Sequence, residues 1–315
     1  MTHRLVLAFG SLLVLAALGG CSAAGSISMT PVEDSESLAA EASRDIPEDP
    51  NTYDRHQYRD IERAIRAGSA TVNATHSTVD PGLPYEYDGR YYNVSTAVVG
   101  QQSGYGGEIG IDYNTSSVDG RVVAYDQLPD SDQRALEPLL APPREGDEPG
   151  TDIDIPVAYT DTEASASVLV PNRTYDGVRY QGETYAITVD VERATLDTYR
   201  YDATLVATGS QAYARQLDRR YAFTLSNLSE NESAIVDQAV GGTHYVEETG
   251  DPGFESLVDR FRHRRPVTVS ESEGSWLVRY DGRRYWTEVR FDQYVPEDEP
   301  IVVATADDTT GSPDN

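Results

Sequence analysis

The chain has 315 residues and a formal net charge of -28, from 53 acidic and 25 basic side chains. An acidic surface of this kind disfavours nucleic acids and anionic lipid headgroups as partners. Cys21 is the single cysteine, which excludes internal disulfides and zinc-thiolate sites.

The balance of charges also indicates a salty environment. All basic residues are Arg, because the sequence contains no Lys. A compact chain of this charge repels itself at ordinary ionic strength, whereas at about 1 M salt the Debye length is roughly 3 Å and the repulsion is screened. The composition resembles that of proteins from extremely halophilic archaea. A disordered acidic chain is the alternative, but 21 Tyr and alternating Val patterns favour a folded core.

Residues 1–20 have the features of an export signal. An Arg precedes an apolar run of signal-peptide length, shorter than the ~20 residues that a membrane span needs. The run ends in Leu18-Gly19-Gly20-Cys21, which resembles the lipobox of lipoprotein signal peptides. The resemblance implies cleavage before Cys21, attachment to membrane lipid through its thiol, and a place on the outer face of the cell membrane. An ordinary signal peptide or an uncleaved anchor is the alternative.

Two segments have the composition of flexible chain. Residues 21–52 are rich in small, polar and acidic residues and predict an acidic tether that holds the domain off the membrane. Residues 303–315 predict a disordered tail. The folded part is therefore expected between residues 53 and 302.

Six of the eight Asn residues stand in the Asn-x-Ser/Thr pattern of glycosylation acceptors. This excess over chance independently indicates exposure outside the cytoplasm. The last two flank a predicted helix start, where turn and capping chemistry explains them equally well. The six acceptors are Asn73, Asn93, Asn114, Asn172, Asn227 and Asn231.

Three short segments share the pattern Tyr-(Asp/Gln)-Gly-x-x-Tyr and begin at Tyr87, Tyr180 and Tyr280. A Gly between strand-like runs predicts a β-hairpin, because Gly accepts the positive φ of a tight turn. The second and third copies lie 100 residues apart, which indicates an internal repeat.

A helix pattern precedes each hairpin. These helices are predicted near residues 54–67, 130–140 and 229–240, the last with a capping box of Ser229 and Glu232. A further helix near 254–262 follows Asp251, and strands are predicted at 121–125 and 220–225. We expect an α+β fold of repeated strand-helix-β-hairpin units that form antiparallel sheets with helices packed on one side. The units are predicted at 53–116 (truncated), 117–208 and 209–302.

This order of helix and Tyr-Asp-Gly-x-x-Tyr hairpin resembles uncharacterised exported lipoproteins of haloarchaea that are built from such units. The resemblance covers the greater part of the expected folded region. It implies a surface origin, and it supplies no catalytic residues.

One basic cluster lies at the end of the last predicted helix. It is a candidate anion-binding or docking patch. Cations that stabilise the negative end of the helix dipole are the alternative interpretation. Its members are Arg260, Arg262, His263, Arg264 and Arg265.

No metal site and no cofactor are expected. Residues 112–116 resemble the start of a calcium loop, but Ser117 and Val123 stand where the Gly and the closing Glu belong. Asp152 and Asp154 alternate on a predicted strand, and such pairs are common in so acidic a chain. The histidines beyond the signal segment lack paired metal spacing; they are His56, His76, His244 and His263.

The leading hypothesis is a surface lipoprotein that acts as a non-enzymatic binding or scaffolding module, with a surface protein or glycan as partner. It depends on the anchor, the repeated units and the lack of a nucleophile or phosphate-loop motif in the sequence. A surface hydrolase that uses paired carboxylates is the alternative. A solute-binding lipoprotein of a transporter is the third hypothesis.

Overall fold

The computed structural model describes residues 24–47, 57–80, 82–113, 118–140, 153–246, 250–270 and 272–291. These residues form helices and largely antiparallel sheets, so the predicted α+β class is confirmed. The strands are β1 (Gly25–Pro31), β2 (Arg44–Asp45), β3 (Ser69–Ala74), β4 (Tyr85–Tyr87), β5 (Arg90–Asp112), β6 (Val122–Ala124), β7 (Ile153–Thr160), β8 (Gly177–Tyr180), β9 (Glu183–Ala207), β10 (Phe223–Thr224), β11 (Thr243–Val246), β12 (Thr268–Val269), β13 (Glu273–Tyr280) and β14 (Arg283–Arg290). The helices are α1 (Ser35–Glu41), α2 (Arg59–Ala67), α3 (Asp130–Leu136), α4 (Asp161–Ala166), α5 (Ser210–Tyr221), α6 (Glu230–Gly241) and α7 (Pro252–Arg262).

The strands form two sheets. One has the order β10-β13-β14-β1-β11, with β12 beside β13. The other has the order β2-β4-β5-β9-β8-β6, with β3 on β9 and β7 on β5. In the second sheet β5 and β9 are long enough for different neighbours to pair with their two halves.

The pairings define three five-stranded groups with one common order. The first group is β2-β4-β5-β9-β3, the second is β6-β8-β9-β5-β7, and the third is β10-β13-β14-β1-β11. In each group the first two strands are parallel, the second and third form a hairpin, and the remaining neighbours are antiparallel. Because β5 and β9 serve two groups, the predicted units 53–116 and 117–208 are not independent. The third group takes β1, which lies outside the predicted unit 209–302.

All three predicted hairpins are confirmed. They join β4 to β5, β8 to β9 and β13 to β14. Both central residues of each turn have positive φ, which is the geometry of a type I′ turn and the reason for Gly at the second position. The central residues are Asp88 and Gly89, Gln181 and Gly182, and Asp281 and Gly282.

Each group has its own apolar core: α2 packs on the first, α3 and α4 on the second, and α6 and α7 on the third. Along the chain, α2 lies between β2 and β3, α3 between β6 and β7, and α6 between β10 and β11, which are the two outer strands of each group. The sequence predicts a helix near each of these positions. Ser229 and Glu232 form the predicted capping box of α6, and Asp251 caps α7. The buried helix residues that face the sheets include Ile61 and Ile65, Leu136, and Ile235 and Val236.

Helices cover both faces of the third group, so the prediction that helices pack on one side is wrong for this sheet. Leu277 and Trp286 alternate along their strands with the core residues Trp276 and Tyr285, and they pack with α1 and α5 on the opposite face. Helix α5 was not predicted. The strand expected at 220–225 is shorter in the structure: α5 extends to Tyr221, and β10 comprises only Phe223–Thr224.

The predicted tether at 21–52 is wrong for residues 24–47, which belong to the fold. Strand β1 lies between β14 and β11, and Ile27 is fully buried. The segment alternates small polar residues with buried apolar ones, so its overall composition concealed a strand. Helix α1 follows, with Leu38 and Ala39 buried. The predicted signal peptide at 1–20 and tail at 303–315 lie outside the described residues.

Replacement of Ile27 by Ala tests the place of β1 in the core. We expect the free energy of unfolding at molar salt to fall by about 3 kcal/mol, because the change leaves a cavity between sheet and helices. Thr30→Ala, at an exposed position of the same strand, is the control and should cost less than ~1 kcal/mol. Equal, negligible effects in denaturant titrations would show that this segment is a tether after all.

Candidate functional site

The proposed lipobox residues Leu18, Gly19, Gly20 and Cys21 lie outside the described residues. The described fold begins three positions after Cys21, at Ala24. Ala24 is 2% exposed, and its backbone N–H donates to the carbonyl of Val246 at 2.7 Å. The candidate anchor is therefore followed by a core strand with almost no intervening chain.

The basic residues at the end of α7 do not form one continuous patch. Arg260 turns toward the buried Glu232, with Nε 2.6 Å from Oε1. The guanidinium of Arg264 lies over the ring of Phe223, and that of Arg265 over Tyr221. Side chains that sequence placed together are thus directed to different partners.

The remaining members of the cluster stay close to the last turn of α7. His263 Nδ1 lies 2.7 Å from the carbonyl oxygen of Asp259, one turn earlier, and Arg262 occupies the last position of the helix. A cavity of about 360 Å³ adjoins this end of the helix and is lined by Asp259 as well as by Arg260, His263 and Arg264. The acidic neighbour and the commitment of Arg260 leave a mixed surface, closer to the helix-end interpretation than to an anion patch.

Glu232 is the centre of a buried polar cluster that links three segments. Its side chain is 2% exposed. The Ser229 backbone N–H and the Ser256 hydroxyl each donate to it at 2.7 Å. Arg260 also donates to the carbonyls of Ser226 and Asn227, so α6, α7 and the loop after β10 are held together.

The surroundings of Glu232 favour its charged form. Burial alone would raise the pKa of this carboxyl, but the hydrogen bonds from Ser229, Ser256 and Arg260 outweigh it and lower the pKa to about 2. A residue in this state is an ionised structural contact and not a proton donor near neutral pH. Its ion pair with Arg260 also neutralises the charge of that residue, the first member of the predicted patch.

The first and second groups bury an acid in the first turn of their helices as well. Glu62 in α2 lies 2.5 Å from Arg66 and accepts a hydrogen bond from the hydroxyl of Tyr87 at 2.9 Å. Asp132 in α3 accepts from the Ser167 hydroxyl at 2.6 Å and from the Val168 N–H at 2.8 Å. Each acid therefore ties its helix to a neighbouring segment.

An acidic face lies on the strands of the second group. It lines a shallow cavity of about 280 Å³. Asp154 lies on β7, as predicted for a strand, and accepts a hydrogen bond from Thr188 at 3.2 Å. Within the described ranges, no three acidic, His or Cys side chains are arranged to hold a metal ion; Asp152 and residues 114–117 lie outside those ranges. The acidic residues of the face are Glu108, Asp112, Asp154 and Asp190.

The described histidines make local contacts. His76 Nδ1 lies 3.2 Å from the hydroxyl of Thr75, and His244 Nδ1 lies 3.0 Å from the amide oxygen of Gln238. His263 contacts Asp259 in its own helix. The remaining candidate, His56, lies outside the described residues.

Most of the candidate glycosylation acceptors are accessible. Asn73 is half-buried on β3, and its side-chain oxygen accepts a hydrogen bond from Thr198 at 2.9 Å. Asn227 lies in the left-handed region with φ 56°, two residues before Ser229, the cap of α6. Asn114 lies outside the described residues. The exposed acceptors are Asn93, Asn172, Asn227 and Asn231.

Comparison of the chain with protein-family models, with curated proteins and with solved structures finds no match. No helix in the described part of the chain has both the length and the apolar character of a membrane span. The candidate sites must therefore be judged on their own chemistry.

Removal of the charge on Glu232 should weaken the fold. We expect Glu232→Gln to lower the free energy of unfolding by about 3 kcal/mol, because Arg260 loses its buried partner. Glu230→Gln, at an exposed position of the same turn, is the control and should change it by less than ~0.5 kcal/mol. Chemical denaturation at molar salt and neutral pH measures both.

A comparison of Glu232→Gln with the unmodified protein at different pH values gives a second test. The folded-state pKa of Glu232, about 2, lies below the ordinary 4.5, so its contribution is present above pH 4.5 and is lost as the pH falls through 2. The stability of Glu232→Gln should therefore approach that of the unmodified protein across this interval. A constant gap between the two would contradict the assigned role.

Proposed function

We propose that the protein is a lipoprotein on the outer face of a halophile's cell membrane, where it acts as a non-enzymatic binding or scaffolding module. The observation that carries the proposal is the Leu18-Gly19-Gly20-Cys21 sequence after an apolar run. Cleavage before Cys21 exposes an N-terminal cysteine whose thiol receives the lipid. The Lys-free, acidic composition supports the salt-adapted environment.

The described fold is compatible with this processing. Every described helix and strand lies after Cys21, so removal of residues 1–20 takes away none of them. Four candidate acceptors, Asn93, Asn172, Asn227 and Asn231, are exposed and therefore accessible to a glycosylating enzyme outside the cell. These two features are independent of each other.

The buried acids support a binding role over hydrolysis by paired carboxylates. Such hydrolysis needs two carboxyl groups that flank one bond. Among the described residues, the buried acids Glu62, Asp132 and Glu232 belong to three different cores, and each is engaged in contacts that hold a helix. The exposed surface is then the part that meets a partner, a surface protein or a glycan.

Replacement of Cys21 by Ser tests the anchor. In a haloarchaeal host at molar salt, we expect the unmodified protein in the membrane fraction and Cys21→Ser in the soluble or secreted fraction. Ser22→Ala, beside the proposed lipid site, is the control and should remain with the membrane. Mass spectrometry of the N-terminal peptide should show a lipid of at least two chains, since a single chain anchors only marginally.

Two results would overturn the proposal. Membrane retention of Cys21→Ser equal to that of the unmodified protein would remove the lipid anchor. Turnover of a peptide, ester, glycan or phosphate substrate by the purified protein at molar salt would remove the non-enzymatic role.

A further inference from the structure

The first strand of the third group in sequence, β1, begins at the same end of the sheet at which the last strand, β14, ends. In the antiparallel pairing of β1 with β14, Ser26 lies opposite Arg290, and Gly25 lies opposite Val246 of β11. Glu273, the first residue of β13, also lies opposite Arg290. The starts of β1 and β13 and the ends of β11 and β14 therefore lie together at one end of the strands, which we call the β1 end.

The β1 end is rigidly built. The Ala24 N–H donates to the carbonyl of Val246 at 2.7 Å, and the Phe291 N–H donates to that of Ser272 at 2.8 Å. Phe254 of α7 packs so closely on Gly25 that a Cβ there would lie 2.5 Å from its ring. The first described residues after the candidate anchor are thus held by backbone and side-chain contacts.

The covalent chain limits how far this end can be from the lipid. Ala24 follows Cys21 by three residues, and three fully extended residues span about 11 Å at most. The hairpin turn between β13 and β14 lies at the opposite end of the same sheet, seven residues along β14 from Arg290, or roughly 24 Å away.

We infer that the β1 end is the membrane-facing surface of the protein, seated at the level of the lipid headgroups. The inference rests on the proposed lipid at Cys21. The sequence predicted a domain that a flexible tether holds away from the membrane. Instead, the domain has a fixed orientation, in which the β13–β14 hairpin points away from the bilayer. Partners are then met by the hairpin end and by the sides of the molecule.

The charges of the β1 end are compatible with this contact in a salty medium. Asp251, Glu255 and Glu273 carry negative charge there, beside Arg290. At about 1 M salt their repulsion from anionic headgroups is screened within roughly 3 Å. The orientation is therefore set by the short covalent link and not by electrostatic attraction.

Single labels at the two ends of one hairpin test the orientation. Cys21 is blocked by lipid, so a fluorophore can be attached to Glu273→Cys at the β1 end and, as the matched control, to Arg283→Cys at the turn end; both positions are exposed. The lipidated proteins are reconstituted at molar salt into phosphatidylcholine liposomes that carry a headgroup-linked quencher. We expect loss of most of the fluorescence at position 273 and little loss at position 283.

A linker variant and a second label secure the result. Insertion of about 20 Gly and Ser residues after Ser22 adds a coil with a span of roughly 25 Å, and it should abolish the difference between the two positions. Glu255→Cys, in the exposed first turn of α7, should behave like position 273. Equal quenching at both ends in liposome-bound protein would overturn the inferred orientation. Failure of the protein to remain with the liposomes would instead overturn the lipid anchor.

Discussion

The antiparallel pairing of β5 with β9 is the interaction on which the first two groups of strands depend. These two strands remain in register from Tyr91 to Asp112, apart from two irregularities. One half of the pair lies in the core of the first group and the other half in the core of the second. Neither group is complete without a strand that begins in the other, so the two are expected to fold together.

Close packing on both sides of β5 also explains one of its small residues. At Gly104 a Cβ would lie 2.3 Å from the backbone carbonyl oxygen of Tyr159 on β7 and 2.6 Å from Leu196 Cδ1 on β9. Leu196 itself is fully buried at this crossing. The third group follows the same principle, because it is completed by β1 from the other end of the chain. Each group thus depends on a sequence-distant strand, which gives the fold a high proportion of non-local contacts.

Parts of the fold that depend on local chemistry could be predicted from the sequence. The three hairpins follow from Gly in a two-residue turn, and α6 follows from its capping box of Ser229 and Glu232. Strand β1 could not be recognised, since its composition is that of a linker and its alternation of buried and exposed residues is short. Helix α5 was missed although Tyr213, Ala214 and Leu217 form a helical apolar stripe.

In the candidate sites too, the sequence shows which residues are neighbours along the chain but not which distant residues they contact. Sequence placed five basic residues at the end of α7, but it could not show that Arg260 pairs with Glu232, which lies 28 residues earlier. Without that partner the cluster looks like an anion patch. The burial of Asp132 was equally hidden, because its partners Ser167 and Val168 follow in a separate segment. The acids that look like surface charges in the sequence include three that hold helices in place.

The proposed attachment of a lipid close to a core strand would give the protein a mechanical character different from that of a tethered domain. A flexible spacer of about 30 residues would leave the domain free to turn above the membrane. A strand that starts four residues after Cys21 would transmit the position of the proposed lipid directly to the sheet. The surface available to partners would then be fixed by the fold, and the proposed covalent link would set which end faces the membrane.

Backbone hydrogen exchange of residues 25–31 at molar salt tests this account most directly. The pairing of β1 with both β14 and β11 predicts that its hydrogen-bonded amides exchange as slowly as those of β14. Exchange at the rate of an unstructured peptide, with β14 protected as before, would show that the segment is a free tether and would contradict the central place of β1.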